Sequence, residues 1–199
     1  MHRALSLLLL AAALPAPAIS ADFEAVAGNA EHLERLEPFL ARYVGRCTDP
    51  IERRACEANV VAARRVLGAR TFAVRVADAA GLVRPELHGD SYVLLFTPFV
   101  DGGGLALSHG APLRQDAEGH PVIGLLPIRG TLPPDVAEMQ FESPFRTGAI
   151  ELEIVFRPEK AWRLSRKGER GSYEGVAARF LAVRVIDART GAPIASRVF

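Results

Sequence analysis

Apolar positions recur every three or four residues from residue 22 onward, and near residue 70 the period drops to two. Phe23, Val26, Ala27, Ala30, Leu33, Leu36, Leu40, Tyr43 and Val44 lie at helical steps, with Glu31, Glu34, Arg35 and Arg42 between them. That spacing predicts an amphipathic helix over 22–44. Asp22 is placed to cap its start. Pro38 would kink the interior, so two pieces meeting near Glu37 are expected. In Thr48-Asp49-Pro50-Ile51-Glu52, Asp49 suits an N-cap, Pro50 the first helical residue and Glu52 the capping acid. The second helix is expected to end at Leu67, with Gly68 in the left-handed closing position.

Strand signals follow. Phe72, Val74 and Val76 alternate with Ala73 and Arg75. Residues 77–89 read as a loop with a short helical turn. Tyr92 to Val100 reads as one strand apolar on both sides, covered on both faces, with Pro98 marking an end, an edge or a bulge. Asp101-Gly102-Gly103-Gly104 is a turn into a strand from Leu105 to His109. Pro112 to Pro121 is a polar loop, Val122 to Ile128 a strand and Asp135 to Phe141 a short helix. From Ala149 to Arg157 the alternation is clean. Ile150, Leu152, Ile154 and Phe156 face one way; Glu151, Glu153 and Arg157 face the other. Pro158-Glu159-Lys160 is expected to turn the chain. A charged loop spans Arg166 to Ser172, a long strand Val176 to Asp187, and a hairpin turn at Arg189-Thr190-Gly191 leads to Ile194–Phe199.

The fold class is therefore α+β. A helical hairpin over 22–69 precedes a β-rich part over 70–199. That part holds about seven or eight mostly antiparallel strands in a sheet or sandwich, and the whole of 22–199 forms one folding unit. The helices' apolar stripe has to be buried on a face of that sheet.

The first residues change the picture. A short positive start at Arg3 leads into an apolar run from Leu5 to Leu14, then Pro15, Pro17 and small residues at Ala18, Ser20 and Ala21. This is the form of a secretory signal peptide over 1–21, cut after Ser20 or Ala21. The run is half the length of about 20 residues that a membrane helix needs, so no transmembrane segment is expected after cleavage. Localisation is expected to be periplasmic or secreted. Cleavage leaves 199 − 21 = 178 residues and removes only Arg3, so 23 basic residues face 23 acidic ones. A neutral chain gives no field toward nucleic acid or an acidic membrane. Cys47 and Cys56 are the two cysteines. In an oxidising compartment they are expected to pair and pin the helical hairpin at its turn.

Chemistry is sparse. The triple glycine lacks the lysine and following helix of a phosphate loop. Ser108 lacks the first glycine of a nucleophile elbow, and on a strand it points away from His109. His88, Asp90, Asp101, His109, Asp116 and His120 are residue types that hydrolases and metal enzymes use, but they form no compact metal signature. No metal and no cofactor are expected. The candidate binding residues are His88, His109, Asp116 and His120 in the middle of the chain. Arg166, Lys167 and Arg170, in a basic stretch with Arg163, Trp162 and Tyr173, complete the set.

The cysteine pair in the helices, the Phe96-Thr97-Pro98-Phe99 segment, the stretch GGLALSHGAP from Gly103 to Pro112 and the final strand pair together resemble an uncharacterised family of exported bacterial, myxobacterial-type proteins. The resemblance covers most of the mature chain and implies an exported domain without an assigned activity. The resulting expectation is a non-enzymatic envelope protein that binds another envelope protein or a small apolar ligand. The alternatives are a hydrolase or metal-dependent enzyme on the Asp90–His120 loops, and a binder of anionic glycans or lipid headgroups on the Arg163–Arg170 loop.

Overall fold

The computed structural model describes residues 21–88, 91–131, 143–165 and 172–199. The expected signal peptide, all but Ala21, lies outside them. So do Asp90, the helix expected at 135–141, and Arg166, Lys167 and Arg170.

The chain runs α1 (Ala21–Ala27), β1 (Glu31–Leu33), α2 (Leu36–Val44), α3 (Arg53–Gly68), β2 (Phe72–Val76), a 3-10 turn (Ala79–Leu82), β3 (Val83–His88), β4 (Ser91–Phe96), β5 (Phe99–Asp101), β6 (Ala106–His109), β7 (Leu126–Thr131), α4 (Ser143–Thr147), β8 (Ile150–Ser165), β9 (Ser172–Asp187) and β10 (Pro193–Val198). This is the expected α+β class, with its helical hairpin formed by α2 and α3. A seven-stranded mixed sheet has the order β1-β2-β8-β9-β6-β5, with β10 also on β9. A three-stranded sheet has the order β3-β4-β7. Pairing is antiparallel except for β1 with β2 and β6 with β9.

The frame is the β8–β9 hairpin, two strands of 16 residues each. The alternation of Ile150, Leu152, Ile154 and Phe156 puts all four into the core. Glu151 and Glu153 lie on the other face, where Arg75 and Arg184 pair with them. The Phe39 ring of α2 packs tilted 4.9 Å from Phe72 and edge-on 5.5 Å from Phe156, while Phe96 of the small sheet stacks 6.1 Å from Phe180. Thus α2 and the small sheet cover one face of the large sheet. Phe23 of α1 buries against Ala73, Val155 and Ala182 on the opposite face. Arg184 holds α1 there, with its guanidinium 4.3 Å from the Phe23 ring centroid and paired to Glu24 and Glu153. The helices therefore pack on two faces rather than one.

Several elements differ from the sequence expectation. The helix over 22–44 is broken between 28 and 35, not at Glu37. Asn29 Nδ2 donates to Ala25 O and ends α1, and Glu31–Leu33 then pairs in parallel with β2. Pro38 falls in the first turn of α2, where its missing N–H has no helical acceptor to lose. Asp49 makes a turn instead of a cap: its Oδ1 accepts the Ile51 N–H at 2.8 Å, and α3 starts later, at Arg53. Gly68 stays within α3, and Ala69 after it is right-handed.

Residues 83–88, expected as loop, form β3. Pro85 is tolerated because β3 is an edge, paired among the described residues to β4 alone. The single strand over 92–100 is two strands in different sheets, divided at Thr97-Pro98. β7 begins at Leu126, later than expected. Pro158 does not turn the chain. A register shift between Pro158 and Lys160 absorbs it as a bulge, and β8 continues to Ser165. The Asp101–Gly104 turn is as expected, and α2 explains its first two glycines. A Cβ on Gly102 would stand 2.6 Å from Leu40, and Gly103 combines φ +77° with Glu37 at 2.9 Å.

Candidate functional site at the helical hairpin

The residues singled out in the middle of the sequence do not gather. His88 ends β3, where its carbonyl accepts the Ser91 hydroxyl. His120 pairs with Asp116, Nδ1 to Oδ2 at 3.3 Å, and its ring faces Tyr173 with centroids 6.4 Å apart. The Asp116 carboxylate also accepts the His120 N–H, and that backbone bond, against the cost of desolvation, holds it below the ordinary carboxylate range. The 112–121 loop folds onto the far end of β8, where Gln115 Nε2 donates to Ser165 O at 2.8 Å. His109 meets Phe180 and Phe199 instead. Ser108 is buried: its hydroxyl donates to Gly110 O at 2.7 Å and accepts the Trp162 indole N–H at 3.0 Å. A hydroxyl so enclosed is not placed to attack a substrate. Among the described residues, no three His, Cys, Asp or Glu side chains cluster as metal ligands.

The helical hairpin offers more. Cys47 and Cys56 are bonded, with Cα atoms 5.7 Å apart. Arg64 of α3 donates through Nε to Tyr43 O at 2.8 Å and through Nη2 to Val44 O at 2.7 Å. These are end carbonyls of α2 that have no helical donor. Gly45, at φ +64°, lets the chain turn, and a Cβ there would stand 2.1 Å from Val60. The disulfide, the arginine clamp and the close approach at Gly45 fix how α3 sits on α2.

That pose leaves much of α3 uncovered. Of its 16 residues Leu67 is the buried one. At 100° per residue, Cys56, Val60, Ala63 and Leu67 form the arc turned toward α2. Beyond it and past Asn59, a second apolar strip of Ala55, Ala58, Ala62 and Val66 is exposed to solvent. Val66 is 48 % exposed. Between the two helices an open groove of about 840 Å³ runs along Ala41, Arg42, Ala55, Ala62, Ala63 and Val66. Small side chains of this kind allow a second segment to approach the backbone closely.

Charge concentrates here too. Residues 41–68 hold six arginines (42, 46, 53, 54, 64, 65) against Asp49, Glu52 and Glu57, a net +3. The whole chain carries +1, so the remainder carries +1 − 3 = −2. The sequence contains the signal as an apolar arc wider than one contact can cover. Helical periodicity alone does not say which half is left open. Among the described residues no helix is long and apolar enough to cross a membrane.

A model described as "Family of unknown function (DUF6066)" matches residues 1–197, and the chain belongs to that family. No curated protein and no solved structure matches it.

Proposed function

We propose that this member of a family of unknown function is an exported, non-enzymatic binding protein that docks an acidic partner protein on the open α2–α3 face. The observation that carries the reading is the mismatch on α3: a wide apolar arc with one buried residue, held rigidly in that pose. Exposed apolar surface bordered by polar and charged residues, here Asn59, Glu52 and Arg42, is characteristic of interaction sites. Arg42 and Glu52 line the groove itself, and the wider net +3 of residues 41–68 favours a partner segment with acidic flanks, because complementary charge speeds encounter and rejects basic competitors. Export is supported by the signal-like N-terminus and by the Cys47–Cys56 bond, which an oxidising compartment preserves.

The test is affinity capture from the cell envelope with the mature protein and with the double substitution Ala62→Glu and Val66→Glu. Both positions are exposed, so the variant should keep the wild-type circular dichroism and melting temperature. The proposal expects a defined acidic protein on the wild type and its loss on the variant. Identical capture by both proteins would refute it.

A further inference from the structure

We propose that a second site, where the α2–α3 turn meets the β8–β9 hairpin, binds a compact phosphate-bearing group between Arg46 and Arg163. It stands apart from the docking face because it concerns a small anion held at Arg163 and Glu174; Arg46 and Arg64, counted above in the charge of residues 41–68, turn toward this recess. The site is a recess of about 300 Å³ walled by Val44, Gly45 and Ala161, with Arg46, Arg64 and Arg163 around it.

Glu174 organises it. The carboxylate is buried, and three groups converge on it. Arg46 Nε donates to Oε2 at 3.0 Å, Arg163 Nη2 donates to Oε1, and the Ser172 hydroxyl donates to Oε1 at 3.1 Å. Burial alone would raise its pKa, but the bonds from Arg46, Arg163 and Ser172 outweigh burial and lower it. Glu174 is therefore a fixed anion that holds two guanidiniums side by side. It uses Nε of one and Nη2 of the other, and the side chains stay 58 % and 69 % exposed. Their solvent-facing donors border the recess.

The charge count selects the ligand. Three arginines against one glutamate leave a net +2 around the recess. A carboxylate would neutralise half of that, and a phosphate dianion all of it. Guanidinium is the side chain best matched to phosphate oxygens, which it engages through two parallel N–H bonds. The α2 carbonyls absorb part of the Arg64 charge, so Arg64 supplies field and wall. Arg46 and Arg163 supply the contacts.

Free phosphate and a phosphate headgroup on a lipid share this chemistry, and the experiment separates them. Arginine Nε–H resonances of the mature protein are followed during titration with inorganic phosphate against chloride at matched ionic strength. In parallel, the protein is sedimented with phosphatidate-containing vesicles and with phosphatidylcholine vesicles. The proposal expects saturable shifts at Arg46 and Arg163 with phosphate, or sedimentation with phosphatidate vesicles alone. Arg46→Gln and Arg163→Gln should each weaken binding about tenfold, the loss of one charge-assisted contact. Each single variant leaves Glu174 two partners, so both should fold, which circular dichroism checks. Arg114→Gln removes the same charge elsewhere and should leave affinity unchanged. Absence of binding in both arms would overturn the proposal, and so would equal losses in all three variants.

Discussion

His109 Nδ1 accepts the backbone N–H of Phe180 at 3.1 Å. The bond closes a gap in the large sheet. β6 pairs with β9 as far as Ala178, and β10 pairs with it from Ala182 onward, so two strand ends meet head to head over residues 179–181. Phe199 N–H completes the junction on Leu181 O, and its ring stacks on His109 with centroids 5.9 Å apart. An imidazole that accepts through Nδ1 carries its proton on Nε2, and protonating Nδ1 would set two donors face to face.

This junction makes stability depend on pH. Burial lowers the His109 pKa, Glu159 opposes that shift and Arg197 adds to it. The folded value lies below the ordinary 6.5, so the unfolded chain binds the proton more readily. The stabilisation is whole above pH 6.5 and is lost as pH falls from there toward the folded value. Thermal melts through that window should show the melting temperature dropping. His109→Gln, which keeps an acceptor but does not titrate, should reduce the drop. An unchanged slope in the variant would assign the dependence elsewhere.

Glu174 acts in a lower window. Its folded pKa is lowered from 4.5, so its contribution is present above that value and lost as pH falls below it. Glu174→Gln should cost about 1.5–3 kcal/mol at neutral pH, the range for hydrogen bonds to a charged group. Urea denaturation at pH 7 and pH 4 should show the cost shrinking at the lower pH.

Gly175 is a packing constraint. It lies on β9 between Trp162 and Ala106, and a Cβ there would stand 2.2 Å from Ala106 O and 2.7 Å from the Trp162 ring. The clash involves strand backbone, which cannot yield cheaply. Gly175→Ala should destabilise by about 1–3 kcal/mol. Trp162 is the chain's one tryptophan, so its fluorescence maximum reports the displacement directly. A wild-type spectrum and midpoint would show that the strands part more easily than the geometry implies.

Removing the Cys47–Cys56 bond should cost about 2–3 kcal/mol, the chain-entropy value for a loop of this size. The residues are nine apart. In Cys47→Ser/Cys56→Ser, amide exchange should speed up along α3 and stay slow along β8 and β9. Uniform acceleration would mean that the hairpin and the sheet unfold as one cooperative unit.

How far the fold could be read from the sequence depended on what shapes each segment. β2 and the first half of β8 were legible because one face of each is buried and the alternation records it. β1 was not, because Glu31-His32-Leu33 continues a helical pattern and becomes a strand only through pairing with β2. β3 was hidden by Pro85 and its charges, which an edge strand accepts. The cysteine pair was legible from the even count and the export expected of the N-terminus. At the candidate sites, the open half of α3 was not legible, since alanines and valines read as core whether or not anything covers them. The meeting of Arg46 with Glu174 joins residues 128 apart, and no local spacing carries it.

The central claim is that the uncovered α2–α3 face is a docking surface. Site-specific photo-crosslinking in cells tests it most directly, with a photoreactive residue placed in turn at Ala58, Ala62, Val66 and, as an exposed control, Glu118. The account predicts one discrete adduct at Ala58, Ala62 and Val66, the same in mass at each, and none at Glu118. Adducts at Glu118 equal to those on α3, or none on α3 at all, would contradict it.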